Sequence, residues 1–195
     1  MEIAEFLEHA PRGDLWVFGY GSLMWSPGFR ASEQAAALAR GYHRSLCILS
    51  SRYRGTPEKP GLVMGLCRGG SCWGMAFRVP ENRVPRVLSQ LWEREMPNRV
   101  YKPTMIRLTA EGRRGRGPRA LRALAFVADT AHRLYVKELD LHRRARLVAQ
   151  GIGQRGTCVE YIRNTLEHML ELGLEDPHLA RVLELAATLA PEKPA

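Results

Sequence analysis

The stretch Leu15-Trp16-Val17-Phe18-Gly19-Tyr20-Gly21-Ser22-Leu23 carries the strongest structural signal near the start of the chain. Its apolar beginning, Leu15 to Phe18, is stopped by Gly19, which predicts a buried strand that enters a tight loop. Glycines let the main chain approach a ligand closely, and successive N–H groups in such a loop can bind a carboxylate or an oxygen that gains negative charge. The alternative is a plain tight turn, and the loop by itself leaves both interpretations open.

Beyond this stretch, apolar runs between Gly-rich or Pro-rich turns predict more strands before the chain becomes helical. The predicted strands cover residues 42–49, 62–67, 72–79, 100–108 and 120–127. The predicted helices cover residues 83–96, 138–149, 159–172 and 177–189. Strands followed by helices, with one helix inserted, predict an α+β fold on a curled, mostly antiparallel sheet.

The length and composition predict one domain. A chain of 195 residues with 45% hydrophobic content can bury one core but is short for two. We expect a single domain over residues 1–195, with residues 1–14 as an N-terminal extension and residues 190–195 as a C-terminal tail.

Two late helices carry start signals, a capping box of Thr157 with Glu160 and an N-cap at Asp176 before a proline.

A glutamate breaks the apolar pattern of the helix predicted over residues 83–96. Spacings of three and four predict one buried stripe, made of Val84, Leu88, Leu91 and Trp92. The next position of the stripe is Glu95, just before Pro97 ends the helix. Burial and the negative end of the helix dipole would both raise the pKa of this carboxylate, which suits a proton acceptor near neutral pH. The alternative is that Glu95 pairs with an arginine such as Arg94 or Arg99, and the pattern alone leaves both open.

Ser22 has two chemical interpretations. As a nucleophile it would attack a carbonyl, but Gly-Tyr-Gly-Ser-Leu is not the GxSxG elbow, and spacing assigns no histidine as its base. We therefore favour Ser22 as a binding hydroxyl. The sequence has no GxGxxG or Walker motif, so it predicts no site for nucleotide phosphate.

The formal net charge of +9 introduces nucleic-acid binding as an interpretation. Much of the charge lies in a Gly-rich stretch that is typical of a turn and on a predicted helix, at Arg113, Arg114, Arg116, Arg119, Arg122, Arg143, Arg144 and Arg146. Aromatic residues do not alternate with the arginines of the turn to stack on bases, and no nucleic-acid motif accompanies them. We expect a solvated basic surface that attracts small anions, and no nucleic-acid partner.

Cysteines and histidines show no metal-ligand spacing. The four cysteines and six histidines form no CxxC, HxH or HExxH pattern. We predict no metal, and buried thiols at Cys47, Cys67, Cys72 and Cys158.

No apolar run reaches the roughly 18 residues of a membrane span, and the first residues lack the basic start of a signal peptide. We expect a cytoplasmic protein without a membrane partner.

Two motifs together carry a family resemblance. Residues 17–25, Val-Phe-Gly-Tyr-Gly-Ser-Leu-Met-Trp, and residues 91–96, Leu-Trp-Glu-Arg-Glu-Met, resemble the ChaC family of glutathione-specific γ-glutamyl cyclotransferases, most of all its bacterial branch. Further matches run from Leu15 to Leu183 and include Arg54-Gly55-Thr56-Pro57, Tyr101-Lys102-Pro103, Gly156-Thr157, Glu160-Tyr161-Ile162 and Asp176 with His178-Leu179. Cys158 departs from the pattern, because relatives often have asparagine there.

The resemblance implies a γ-glutamyl cyclotransferase-like fold, a small mixed or antiparallel β-barrel flanked by α-helices, with a pocket at the barrel mouth. It places Glu95 on the catalytic glutamate of the family and Tyr161 on a tyrosine near the pocket. It also implies a substrate-binding loop made of Val17, Phe18, Gly19, Tyr20, Gly21, Ser22 and Leu23.

The implied activity is a carbon–nitrogen lyase reaction on glutathione. The α-amine of the substrate attacks its own γ-carbonyl with Glu95 as general base, and the products are 5-oxoproline and Cys-Gly. No cofactor is implied, and a monomer is expected. The alternatives are a cyclotransferase for other γ-glutamyl amino acids or amines, and a binding module without chemistry.

Overall fold

The computed structural model describes residues 3–9, 12–112 and 117–189. They form two compact units, the first from residues 1–44 and 65–129 and the second from residues 45–64 and 130–195. Two of the three boundaries between the units, after residues 44 and 64, fall within long strands. The single domain over residues 1–195 stays a prediction, and its C-terminal tail, residues 190–195, lies outside the described residues.

Strands predominate up to residue 128, and the described chain is mainly helical after it. The strands are β1 (Leu15–Gly19), β2 (Glu33–Ser50), β3 (Gly61–Val79), β4 (Tyr101–Ala110), β5 (Arg119–Ala128), β6 (Ile152–Gly153) and β7 (Gly156–Thr157). The helices are α1 (Ile3–His9), α2 (Val84–Glu95), α3 (Leu141–Gln150), α4 (Cys158–Glu171) and α5 (Pro177–Leu189).

The strands β1 to β5 close into a barrel in the order β1-β3-β2-β4-β5. The β1 strand pairs with β3 in antiparallel register, with Leu15 opposite Val79, and pairs with β5 in parallel, with Trp16 opposite Ala123. The β4 and β5 strands are antiparallel over their whole length. The predicted α+β fold with a small, mostly antiparallel barrel is confirmed.

Apolar side chains of the barrel and of α2 form the core of the first unit. Fully buried members include Val17, Phe18, Leu66, Leu88, Leu91, Leu124 and Phe126. Complete burial of such side chains stabilises the fold by about 1.5 to 3 kcal/mol each. The stripe predicted for α2 is confirmed, because its four apolar residues are all buried. This stripe fixes how α2 lies in the first unit, and so fixes the direction of the side chains in its last turn.

The second unit contains α3, α4 and α5, and the start signals predicted for α4 and α5 are confirmed. The Thr157 hydroxyl accepts from the Glu160 N–H while the Glu160 carboxylate accepts from the Thr157 N–H, which is the predicted capping box. The Asp176 carboxylate accepts from the N–H of Leu179 at 2.9 Å. These bonds satisfy amide groups that the first helical turn leaves without partners.

Three predictions of the sequence need correction. The β2 strand begins at Glu33 rather than at Tyr42, and β3 is one continuous strand where two were predicted. Gly69 and Gly70, with φ of 97° and 68°, produce the signal of a turn but lie within β3. Arg119 lies in β5 and not in a turn, and Arg122 lies in the same strand, as the prediction of a strand over residues 120–127 requires. The other arginines of that stretch, Arg113, Arg114 and Arg116, lie outside the described residues.

The four cysteines are buried free thiols, as predicted. Within the described part of the chain, no helix combines the length and the apolar character that crossing a membrane requires. Residues 3–9, 12–112 and 117–189 contain no group of three or more His, Cys, Asp or Glu side chains placed to hold a metal ion.

Candidate active site

The loop after β1 is a tight turn that requires glycine at its start. A 3-10 turn, Ser22–Met24, follows β1, and its hydrogen bond runs from the Met24 N–H to the Gly21 carbonyl at 2.8 Å. The N–H groups of Ser22 and Leu23 therefore precede the bonded part of the turn. A Cβ atom on Gly19 would lie 2.9 Å from the carbonyl carbon of Leu23, so a side chain there would push the loop open.

Two side chains fix the loop backbone around Tyr20. The Tyr20 hydroxyl donates to the carbonyl oxygen of Phe126 at 2.6 Å. From the other direction, Arg44 Nε donates to the carbonyl oxygen of Tyr20 at 2.5 Å, and Arg44 Nη2 donates to that of Trp73 at 2.7 Å. No pattern in the sequence predicted Arg44 as part of the site. Its signal is weak, a charged residue two positions before the apolar run of residues 46–49 in β2.

The loop residues predicted to bind substrate differ in exposure. The side chains of Val17 and Phe18 are fully buried in the core, and Leu23 and Tyr20 are 5% and 7% exposed. Because these side chains pack inside the unit, a ligand at these positions would contact the main chain and not the side chains. Ser22 is partly exposed, and its hydroxyl is the polar side-chain group that this part of the loop presents.

Glu95 is the last residue of α2, and its side chain is 16% exposed. The Met96 N–H bonds to the carbonyl of Trp92 at 2.9 Å and closes the helix there. Trp92, one turn earlier, packs its ring against Phe126 with ring centroids 5.8 Å apart. The carboxylate thus continues the buried stripe, as its position in the sequence predicted, and lies largely out of water.

Arg94 connects this carboxylate to the glycine loop. Its Nε atom lies 2.9 Å from Glu95 Oε1, and its Nη2 atom donates to the Ser22 hydroxyl at 2.7 Å. The structure therefore connects Ser22 and Glu95, both predicted to belong to one site, through a residue that was predicted only as a candidate partner of the glutamate. The pairing of Glu95 with Arg94, one of the alternatives above, is present.

The partner of the Ser22 hydroxyl bears on its two chemical interpretations. A guanidinium only donates, so the Ser22 oxygen accepts and its own O–H group points elsewhere. A serine nucleophile needs an adjacent group that takes its proton, and Arg94 cannot take it. This geometry favours Ser22 as a hydroxyl that donates to a ligand.

Tyr161 belongs to the second unit, where its side chain is buried. Its hydroxyl oxygen accepts from the Met64 N–H at 3.2 Å, and the guanidinium carbon of Arg54 lies 5.5 Å from the centre of its ring. Burial lowers the pKa of Arg54 from its ordinary value, and the neighbouring Cys158 and Tyr161 partly oppose this shift. The substrate-binding role of Tyr161 stays a prediction.

Cys158, where relatives often have asparagine, acts as a buried hydrogen-bond partner. The Leu62 N–H donates to its sulfur at 3.2 Å, and its thiol lies 3.1 Å from the carbonyl oxygen of Arg54. Burial raises the pKa of the Cys158 thiol to about 11. A thiol that stays protonated at neutral pH is a poor nucleophile, so this cysteine has a structural role.

Comparisons with known proteins found a family and curated relatives that this chain resembles. Residues 15–189 match the model of a family described as ChaC-like protein. The glutathione-specific γ-glutamylcyclotransferase of Escherichia coli K12 is 33% identical over 171 residues, which cover 88% of this chain and 72% of that relative. The human glutathione-specific γ-glutamylcyclotransferase 1 is 30% identical over 190 residues, which cover 93% of this chain and 84% of that relative.

A solved structure resembles the chain in its fold. The crystal structure of a yeast γ-glutamyl cyclotransferase specific to glutathione superposes with a TM-score of 0.83 at 18% identity. The superposition covers 93% of this chain and 99% of the yeast chain.

Proposed function

Because the chain belongs to the ChaC-like protein family, we propose that it is a glutathione-specific γ-glutamylcyclotransferase that converts glutathione to 5-oxoproline and Cys-Gly. The observation that carries the proposal is the junction of the Gly19–Ser22 loop with Glu95 through Arg94. One side of this junction offers N–H and O–H donors and the other offers a carboxylate. An intramolecular acyl transfer from nitrogen to nitrogen needs these two kinds of group.

The loop holds the γ-glutamyl part of the substrate. The substrate has an α-carboxylate and a γ-carbonyl, both of which accept hydrogen bonds. The N–H groups at the start of the 3-10 turn and the Ser22 hydroxyl supply donors for them. Holding the α-amine and the γ-carbonyl of one molecule within reach of each other makes the attack effectively unimolecular, which replaces an external nucleophile.

Glu95 moves the proton. The α-amine attacks the γ-carbonyl carbon and forms a carbon–nitrogen bond, while Glu95 accepts a proton from that amine. Donors from the loop stabilise the oxyanion of the tetrahedral intermediate. The bond to the cysteinyl nitrogen then breaks, and the protonated Glu95 returns its proton to that nitrogen. The carboxylate ends the cycle as it began.

The proton balance of the whole reaction explains why a single carboxylate is sufficient. The α-ammonium group loses two protons as it becomes a lactam N–H, and the cysteinyl amide nitrogen gains two as it becomes an ammonium group. One of these protons passes through Glu95, and the other is exchanged with water when the amine binds in its neutral, nucleophilic form. No oxidant, reductant or hydrolytic water takes part.

A substrate panel tests this proposal. The purified protein, without added metal, is incubated with glutathione, with γ-Glu-Ala and with a γ-glutamylamine, and 5-oxoproline and the released amine are followed by mass spectrometry. We expect release of 5-oxoproline and Cys-Gly from glutathione, above a control without enzyme. Turnover of another γ-glutamyl compound alone would contradict the substrate but keep the cyclisation, and no 5-oxoproline from any of them would contradict the activity.

The location, oligomeric state and cofactor requirement of the enzyme are also proposed. We infer that it acts in the cytoplasm as a monomer and needs no cofactor. The four buried free thiols are consistent with a reducing compartment. Tyr161 is proposed as a further substrate contact on the basis of the family resemblance.

A further inference from the structure

The guanidinium group of Arg94 makes a different contact with each of its nitrogens. Nε faces Glu95 Oε1 at 2.9 Å, Nη2 donates to Ser22 Oγ at 2.7 Å, and Nη1 donates to the carbonyl oxygen of Ser26 at 2.5 Å. One partner lies on the same helix, and the other two lie in the loop region, with Ser22 separated by 72 positions along the chain. A single rigid group therefore spans both halves of the proposed site.

We propose that Arg94 is a positioning residue, which sets the distance and direction between the Ser22 hydroxyl and the Glu95 carboxylate. The proposal rests on the proposed function and deepens it. The guanidinium is planar and its donors have a fixed geometry, so fixing any two contacts also fixes the third. A lysine in the same place has a single nitrogen on a flexible stem and cannot hold partners on two elements in one plane.

The first consequence concerns Ser22. Because Arg94 occupies an acceptor position of the hydroxyl, the proton of Ser22 is directed away from the guanidinium. A hydroxyl whose proton already points in one direction donates to a ligand without first rotating. Such preorganised donors contribute most where negative charge develops during the reaction.

The second consequence concerns Glu95. The side chains of Arg94 and Glu95 are 14% and 16% exposed, so water screens their pairing only partly. The bond to Oε1 fixes the rotation of the carboxylate about its terminal torsion, which is otherwise broad. A base held in this way keeps its distance to the amine of the substrate, and a misplacement by about 1 Å costs on the order of 100-fold in rate.

The third consequence concerns the end of the loop. The bond from Nη1 to the Ser26 carbonyl ties down the main chain just after the 3-10 turn. That turn is followed by a bond from the Ser26 N–H to the Ser22 carbonyl at 3.0 Å. Arg94 thus holds the Ser22 side chain and the backbone that carries it, so the hydroxyl cannot shift without breaking two bonds to one group.

The test compares wild type, Arg94→Lys and a matched control, Arg86→Lys, which makes the same exchange at an exposed position of α2. With glutathione as substrate, Arg94→Lys should lower kcat on the order of 10- to 100-fold, because the charge remains but the geometry is lost. KM should stay within about threefold, since all three guanidinium nitrogens of Arg94 already contact protein groups and a positioning role acts on the chemical step. Arg86→Lys should match wild type. An unchanged kcat, or a raised KM with unchanged kcat, would overturn the proposal.

A double-mutant cycle separates positioning from a merely structural effect. Ser22→Ala is measured in the wild-type protein and again in the Arg94→Lys protein. If Arg94 acts partly through Ser22, the two losses in kcat combine to less than their product. A purely multiplicative combination would show that the two residues act independently and would overturn the proposal.

Nuclear magnetic resonance of the arginine side chains keeps the test valid if Arg94→Lys does not fold or if the wild type has no turnover. The Nε–H resonance of Arg94 should shift in Glu95→Gln. It should also shift in Ser22→Ala, because Nη2 of the same guanidinium loses its partner, whereas the resonance of Arg86 should shift in neither variant. If neither substitution moves the Arg94 resonance, these bonds are absent in solution and the proposal is wrong. This readout does not depend on turnover, so it fails separately from the proposed function.

Discussion

The hydroxyl of Tyr20 lies 2.6 Å from the main-chain carbonyl oxygen of Phe126, to which it donates a hydrogen bond. Both side chains are buried, and 106 positions separate them along the chain. The bond ties the loop that follows β1 to β5, the strand with which β1 pairs in parallel. The loop is thus held by the barrel itself, as a site that needs fixed donors requires.

Replacing Tyr20 by phenylalanine should weaken the fold measurably. The ring stays, but a buried carbonyl loses its partner, so the free energy of unfolding should fall by about 1 kcal/mol. Urea denaturation measures this as a lower midpoint with an unchanged m value. Tyr42→Phe is the control, because it also removes a hydroxyl but keeps the ring that Arg68 covers. Equal midpoints for Tyr20→Phe and wild type would show that the bond to Phe126 contributes nothing.

A methyl group at Gly74 should damage the loop from the neighbouring strand. A Cβ atom there would lie 2.2 Å from the carbonyl oxygen of Gly19, which belongs to the main chain and has little room to move. We expect Gly74→Ala to destabilise the protein by about 1 to 3 kcal/mol and to lower turnover of glutathione, because relief of the clash displaces the start of the loop.

The control for this substitution is Gly117→Ala, where an added Cβ would meet nothing within 4 Å. It should change the stability by less than about 0.5 kcal/mol. Thermal unfolding and 5-oxoproline release are measured on both variants. A Gly74→Ala protein as stable and active as Gly117→Ala would contradict the close approach of β3 to the loop.

Cys158 should make the stability fall in alkaline solution. Its pKa is about 11 in the folded protein against an ordinary value of 9.0, so the unfolded chain loses the proton first as the pH rises. The protonated thiol stabilises the folded protein fully below pH 9. This stabilisation, about 2 to 3 kcal/mol in the free energy of unfolding, is lost as the pH rises through about 11. The measurement is the free energy of unfolding between these values, for wild type minus Cys158→Ala.

The difference between wild type and Cys158→Ala isolates this thiol from lysines and tyrosines that titrate in the same range. It should shrink with rising pH, whereas the corresponding difference for an exposed site such as Ser71→Ala should stay constant. At pH values below 9, Cys158 should resist alkylation until the protein is unfolded. A pH-independent difference, or rapid alkylation of native Cys158, would show that the thiol is not buried in a protonated form.

Local signals predicted much of the helical part of the fold. The α5 helix has the predicted bounds, because a cap with a following proline defines its start and its apolar spacing its length. The first half of β2 was missed, because its alanines favour a helix and carry little apolar alternation. Its strand conformation depends on partners such as Ala110, which lies opposite Ala37 in β4, and on the complete burial of Ala37 and Ala39.

The sequence predicted two parts of the candidate site, the loop and Glu95, but not the contacts that connect them. Glu95 was found because it breaks a stripe, and the loop was found because its glycines follow an apolar run. The contacts of Arg94 with both parts were not predictable, since one of them is with Ser22, a residue distant in sequence. The same holds for Arg44, whose bonds reach Tyr20 and Trp73 only once the strands have paired. Sequence patterns report local periodicity, whereas these contacts are products of the tertiary fold.

The assignment of Glu95 as the base is tested by the release of 5-oxoproline from glutathione by wild type, Glu95→Gln and Glu93→Gln. Glu93 is an exposed glutamate two positions earlier on α2, so its substitution makes the same chemical change outside the site. We predict that Glu95→Gln loses a factor on the order of 100 or more in kcat while its thermal unfolding shows that it still folds, and that Glu93→Gln matches wild type. A Glu95→Gln protein with near-normal turnover would contradict the assignment of Glu95 as the base.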